Sequence, residues 1–299
     1  MNAVAAIARQ ELLSLRRERL PLVLLVVFVL MVSVSSLIGR LTTTTVSSVW
    51  EKTTQAGLTS APNPFADVSG LYFARNTVIY LVLIGALMAI VVGVTSAMRD
   101  RKARTLDLVL SRPLTVRSYV AGKVLGVGAW LSLVLAGVGV ISWGSISVIS
   151  GAPLGAADTG RLIAFYALAL LLLLAFVMLG MASGMYSSRE TTALLVPISI
   201  WSITAFVLPQ IGTSANPVSL LNPVPAVKVP GGAFDALNAV LSPLSVTEQF
   251  KTASGLLLKD AETTGSLPTS LTVIILAVVI GAVVLATVKR DRIRGALRD

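Results

Sequence analysis

The sequence contains no cysteine and no histidine. Their absence removes disulfides, thiolate and imidazole metal sites, cysteine nucleophiles, histidine general bases and haem ligation. Charge is scarce too. Only 13% of the 299 residues are charged, against 55% hydrophobic, too few to coat a soluble domain of this length. What is abundant is unbroken apolar chain, in runs of about 20 residues or more, the length a helix needs to cross about 30 Å of hydrocarbon. The net charge of +10 lies beside these runs rather than on a soluble face, which argues against nucleic acid as a partner.

The apolar runs are Leu20–Gly39, Thr77–Ala97, Val124–Ile149, Arg161–Tyr186, Thr191–Thr213 and Thr269–Val288. They predict an all-α membrane protein with six transmembrane helices in one permease domain, 1–299. Six spans put both termini on one side. Of the 24 basic residues, 17 fall on that side and seven on the other, while the 14 acids divide equally. The positive-inside rule therefore predicts cytoplasmic termini and a place in the inner or plasma membrane. Arg16, Arg17 and Arg19 before the first run also resemble the start of a secretory signal. The run is long for one and no clear small-residue cleavage site follows, so a retained helix is expected.

Val4, Ile7, Ala8, Leu12 and Leu15 follow helical spacing, with Arg9, Gln10, Ser14 and Arg17 on other faces. This predicts an amphipathic helix in the cytoplasmic interface, touching membrane lipid. Two segments are expected outside, Arg40–Asn76 as a Thr/Ser-rich loop and 214–268 as a small helical segment. Within the latter, Ser245 followed by Glu248 forms a capping box that starts a short helix running to about Lys259.

No predicted span carries Asp, Glu or His in its interior, so a proton-driven transporter lacks its usual sensor. Pro197 and Pro209 in the fifth span read as kinks that shape packing. The only Gly-Lys pair, Gly122–Lys123, has Arg117 where a P-loop needs its first glycine and Val124 where it needs a hydroxyl. ATP is not bound by that motif, and no placed base or carboxylate would activate a nucleophile within a span, so an enzyme is not expected. Met178, Met181 and Met185 share one face of the fourth span. Methionines at that spacing usually pack, and soft-metal contact is the alternative.

The segment between the second and third spans, 98–123, carries the most information. Leu106, Val109, Leu110 and Pro113 are spaced i, i+3, i+4, i+7, giving an apolar face flanked by Arg101, Arg104 and Arg112. After a break at Ser111–Pro113, Thr115 can cap a second helix that runs through Tyr119 and Lys123 into the third span. Charge alone is equally compatible with anchorage on anionic lipid. Thr105-Leu106-Asp107-Leu108-Val109-Leu110-Ser111-Arg112-Pro113, then Arg117-Ser118-Tyr119 and Gly122-Lys123, resembles the signature of type-2 ABC exporter permeases. The likeness extends to the branch that includes the permease of nitrous-oxide-reductase copper-site maturation.

That resemblance implies cytoplasmic coupling helices that insert into a groove of a separate ABC ATPase subunit, in two copies, with the permease as a homodimer or heterodimer. It assigns the coupling contact to Leu106, Asp107, Val109, Leu110, Ser111, Arg112, Pro113, Arg117, Tyr119 and Lys123. ATP and magnesium would belong to the partner, leaving no cofactor in this chain. The sequence departs from the pattern at Arg101-Lys102-Ala103-Arg104, where many relatives carry an acidic, glycine-containing run. A non-transporting assembly factor or a channel is the alternative, since the glycine pairs Gly122/Gly126 and Gly180/Gly184 would serve any helix bundle.

Overall fold

The computed structural model describes residues 3–62, 69–102, 115–211, 231–260 and 263–288, and among these there is no strand. Six helical segments are long and apolar enough to cross a membrane: Pro21–Gln55, Gly70–Asp100, Val116–Ser150, Ala156–Tyr186, Glu190–Gln210 and Leu267–Ala286. The helices are α1 (Ala3–Leu15), α2 (Arg19–Gln55), α3 (Thr77–Tyr80), α4 (Ala86–Lys102), α5 (Val116–Ser150), α6 (Ala156–Tyr186), α7 (Glu190–Ser202), α8 (Ala233–Leu241), α9 (Val246–Leu257) and α10 (Leu267–Ala286). α3 and α4 belong to one span, joined by a π-helical turn at Leu81–Gly85.

The centre of the bundle is the pairing of α4 with α6, and glycine sets its closeness. A Cβ on Gly93 would lie 2.3 Å from the Val177 carbonyl oxygen, and one on Gly180 would lie 2.5 Å from that of Ile90. Each helix thus rests its bare backbone on the other, as small residues allow in membrane bundles. Met181 and Met185 are buried on the same face of α6, and Met178 packs where a Cβ on Gly281 of α10 would fall 2.9 Å away.

The first span runs further than its apolar stretch. The sequence predicts a loop from Arg40, yet α2 continues to Gln55. Its hydroxyls fold back on the helix's own carbonyls, Thr43 on Gly39 at 2.8 Å, Ser48 on Thr45 at 2.8 Å and Thr53 on Val49 at 3.0 Å, so polar side chains here do not pull the backbone out of register. The helix stops at Gly57, whose φ of 68° suits the left-handed position. There the Leu58 amide donates to the Thr53 carbonyl and the Gly57 amide to that of Thr54, a Schellman closure.

Spans two and five each contain a π-helical turn, Leu81–Gly85 and Ile203–Val207. Such a turn carries one residue too many for the regular ladder and exposes a carbonyl to outside donors. Trp201 Nε1 donates to the Val82 carbonyl at 2.9 Å, while Ser245 Oγ and Thr247 Oγ1 donate to that of Thr204 at 2.7 and 2.8 Å. Ser245 also accepts from the Glu248 amide at 3.2 Å and caps α9. The capped helix is more deeply placed than a surface cap would be. Phe250 packs on Phe165 of α6, Ser270 of α10 donates to Gln249, and Lys251, only 1% exposed, pairs with Glu248 at 2.7 Å. The helix predicted from Ser245 therefore forms, but it carries a buried ion pair in among the fourth, fifth and sixth spans rather than lying outside them.

Adding a methyl group at Gly93 or Gly180 is expected to force α4 and α6 apart and cost about 1–3 kcal/mol. Ala substitution at either should lower the thermal midpoint of the purified protein. The same change at Gly144, where a new Cβ meets nothing within 4 Å, should leave it unmoved.

Candidate functional site

At the end of the bundle that carries α1, three chain segments converge on one buried lysine. α1 lies across the first turns of α5, and glycines again permit the approach. A Cβ on Gly122 would sit 2.7 Å from that of Ile7, and one on Gly126 would sit 2.6 Å from both the Ala8 carbonyl oxygen and the Glu11 Cβ. The short distance brings the Glu11 carboxylate to Lys123, one residue past Gly122.

Lys123 Nζ is bound on three sides. Glu11 Oε2 lies at 3.1 Å, Asp100 Oδ2 at 3.0 Å and the Ser96 carbonyl oxygen at 2.7 Å. The Tyr119 hydroxyl donates to the same Asp100 oxygen, and its ring centroid stands 5.2 Å from Nζ. The other Glu11 oxygen accepts from Arg99 Nη1 at 2.6 Å, and Arg99 Nε donates to Glu18 Oε1 at 2.6 Å. Lys123 is 2% exposed and Glu11 3%. A charge this deep is tolerable only when it is paired and its hydrogen-bonding capacity is filled.

The connectivity matters more than the number of pairs. Ser96, Arg99 and Asp100 end the second span, Tyr119 and Lys123 begin the third, and Glu11 and Glu18 flank the approach to the first. The Lys123–Asp100 pair and the Tyr119–Asp100 hydrogen bond join the two stems of segment 103–114 to each other, while Glu11 joins both to α1. Buried pairs of this kind contribute little net stability, but they fix register, because losing one partner strands the other.

Of the residues predicted for the coupling contact, Leu106, Asp107, Val109, Leu110, Ser111, Arg112 and Pro113 lie outside the described residues. Thr115 does cap α5, accepting from the Ser118 amide at 3.1 Å. Arg117 is exposed on the first turn, whereas Tyr119 and Lys123 turn inward and belong to the buried network. Glu11, Glu18, Arg99 and Asp100 were not singled out by the sequence. One signal was available: Glu11 lies on the apolar stripe of α1, at i+7 from Val4 and i+4 from Ile7, where an unpaired acid would be costly. The apolar stripe of α1, expected to touch membrane lipid, packs on α5 at Gly122 and Gly126.

A helical bundle with six candidate spans and a buried charge cluster where the second span ends and the third begins defines a polytopic membrane protein. The chain belongs to the ABC-2 family transporter proteins, matching that family over residues 5–290. Membership makes it the membrane permease subunit of an ABC transporter, a kind of subunit that works with an ABC ATPase. No curated protein matches the chain.

Replacing Lys123 with Met should leave Asp100 with only the Tyr119 hydroxyl and Glu11 with only Arg99 among the described residues, and cost about 3–5 kcal/mol. Replacing the half-exposed Glu18 with Gln should cost about 1 kcal/mol or less. Thermal unfolding of the two purified variants beside the wild type measures the difference.

Proposed function

We propose that the chain is the membrane half of an ATP-driven exporter, and that segment 103–114 docks on a separate ATPase subunit whose movement reaches the spans through the Lys123 clamp. The observation that carries this reading is that both stems of the segment are bonded to each other and to α1 by buried charge. A push on a loop with free stems would be lost in local flexing. With clamped stems it displaces α1 and the adjoining ends of two spans together.

In this reading two ATPase subunits serve a homodimer or heterodimer of permeases. ATP and magnesium reside on the ATPase, and both termini lie in the cytoplasm at the inner or plasma membrane. The Thr105–Pro113 motif favours the branch that includes the nitrous-oxide-reductase maturation permease. Leu106, Val109 and Leu110 would fill the ATPase groove, Asp107, Ser111, Arg112 and Arg117 would bond at its rim, and Pro113 would set the angle between the two short helices. Tyr119 and Lys123 would act from behind them, through Asp100. The cargo is apolar or amphipathic, and a matching surface exists in a cavity of about 480 Å³ between α5 and α6, lined by Leu135, Val140, Trp143, Ile163 and Leu170.

Two kinds of variant separate contact from transmission. Leu110→Ala and Arg112→Glu should weaken capture of the ATPase, by about 2 kcal/mol or more for a buried anchor. Asp100→Asn should leave capture intact and lower transport per ATP hydrolysed. Wild-type capture and export in both Leu110→Ala and Arg112→Glu would remove the coupling assignment. Sidedness is tested separately: tags at either terminus should be protected in intact cells and a tag beside Asn238 accessible. An accessible C-terminus with a protected N-terminus would contradict six spans with both ends inside.

A further inference from the structure

The clamp sorts the charges of the first 19 residues. Both acids, Glu11 and Glu18, point into the bundle and are held by Lys123 and Arg99. Arg9, Arg16, Arg17 and Arg19 are all exposed, so the outward surface of α1 and its turn into α2 is basic with no carboxylate of α1 to offset it. On this outer side Ala6, Arg9, Gln10, Leu13, Ser14 and Arg17 line a cleft of about 360 Å³. The cleft offers two guanidinium groups, a carboxamide and a hydroxyl beside Leu13, which is 47% exposed.

The level of this cleft follows from what α1 rests on. α1 meets α5 at Gly122 and Gly126, about 9–15 Å from the start of α5 at 1.5 Å per residue, and the uninterrupted apolar run of that span begins at Val124. α1 therefore lies at the edge of the apolar zone, with α5 on one side and the cleft on the opposite side. The first span leaves directly from its end. A basic cleft facing away from the bundle at that depth meets the glycerophosphate layer of the surrounding leaflet, with Leu13 at the level where acyl chains begin.

We propose that the outer face of α1 is a binding site for the headgroup of an anionic phospholipid, with Arg9 and Arg17 holding the phosphate and Gln10 and Ser14 donating to its ester and glycerol oxygens. Arginine suits this role because its planar fork matches two phosphate oxygens. Because Glu11 and Ser14 share one helix, a lipid held outside steadies the helix that carries the clamp inside. The site does not depend on the ATPase reading, since it needs only the bundle and the bilayer.

The test compares the full-length wild type with the double variant Arg9→Gln/Arg17→Gln, and with a charge-matched control, Lys52→Gln/Arg161→Gln, whose residues are exposed at the far end. Each protein is purified in mild detergent and titrated with phosphatidylglycerol or phosphatidylcholine, and bound lipid is counted by native mass spectrometry. Size-exclusion profiles establish that every variant is folded. The wild type and the control should retain phosphatidylglycerol in preference to phosphatidylcholine, and the α1 variant should need about tenfold more for equal occupancy. Inorganic phosphate should not displace the lipid. Equal retention by all three proteins, or equal loss in the α1 variant and the control, overturns the site. Unchanged lipid retention with lost ATPase capture in the α1 variant also overturns it, and assigns the face to a protein partner.

Discussion

The structure turns on one lysine that has nowhere to go. Lys123 stands in the first apolar turns of the third span with 2% of its surface exposed, so its ammonium must find neighbours or pull the helix out of place. It finds the Glu11 carboxylate, the Asp100 carboxylate and the Ser96 carbonyl, one from α1 and two from the end of the second span. Three segments distant in sequence acquire one register as a result. Glycines at 122 and 126 make the solution possible, because any side chain there would hold α1 too far away for Glu11 to reach.

The opposite end is also tied by ion pairs. Arg75 pairs with Asp260 at 3.2 Å, and Lys259 pairs with Asp158 at 2.6 Å. Between them, the π-helical turns of spans two and five lend carbonyls to Trp201, Ser245 and Thr247, so span two bonds to span five and span five bonds to α9. Interiors of these spans carry no charge, and their cross-links are hydrogen bonds to backbone. Charge is concentrated at the two ends, where it sets the positions of helices without placing an ion in hydrocarbon. The buried Glu248–Lys251 pair is the exception, brought in by α9 rather than by a span.

Much of this was legible in sequence. Apolar runs gave six spans, the Thr115 and Ser245 caps fell where hydroxyl chemistry placed them, and the glycine pairs proved to be sites of close helix approach. Periodicity could not foresee that the Thr/Ser stretch after Arg40 would remain helical, because hydroxyls that bond their own turn look the same in sequence as hydroxyls that face water. The place of Glu11 on the apolar stripe of α1 hinted at a buried partner, but periodicity could not say that the partner lay 112 residues away. Lys123 and Tyr119 were singled out for their place in a motif, and their partners were not. Pairing between distant segments leaves no periodic trace.

The central claim is that α1 and the start of the third span move as one body when ATP acts on the assembled complex. Since this chain has no cysteine, spin labels at Ala5→Cys and Ala121→Cys, both exposed positions, report on that pair when labelled permease is diluted with unlabelled permease and the ATPase carries no reactive thiol. The account predicts one narrow distance distribution, unchanged between nucleotide-free and ATP-bound complexes, which broadens when Lys123→Met removes the clamp. A wild-type distance that shifts with ATP while transport proceeds would contradict it.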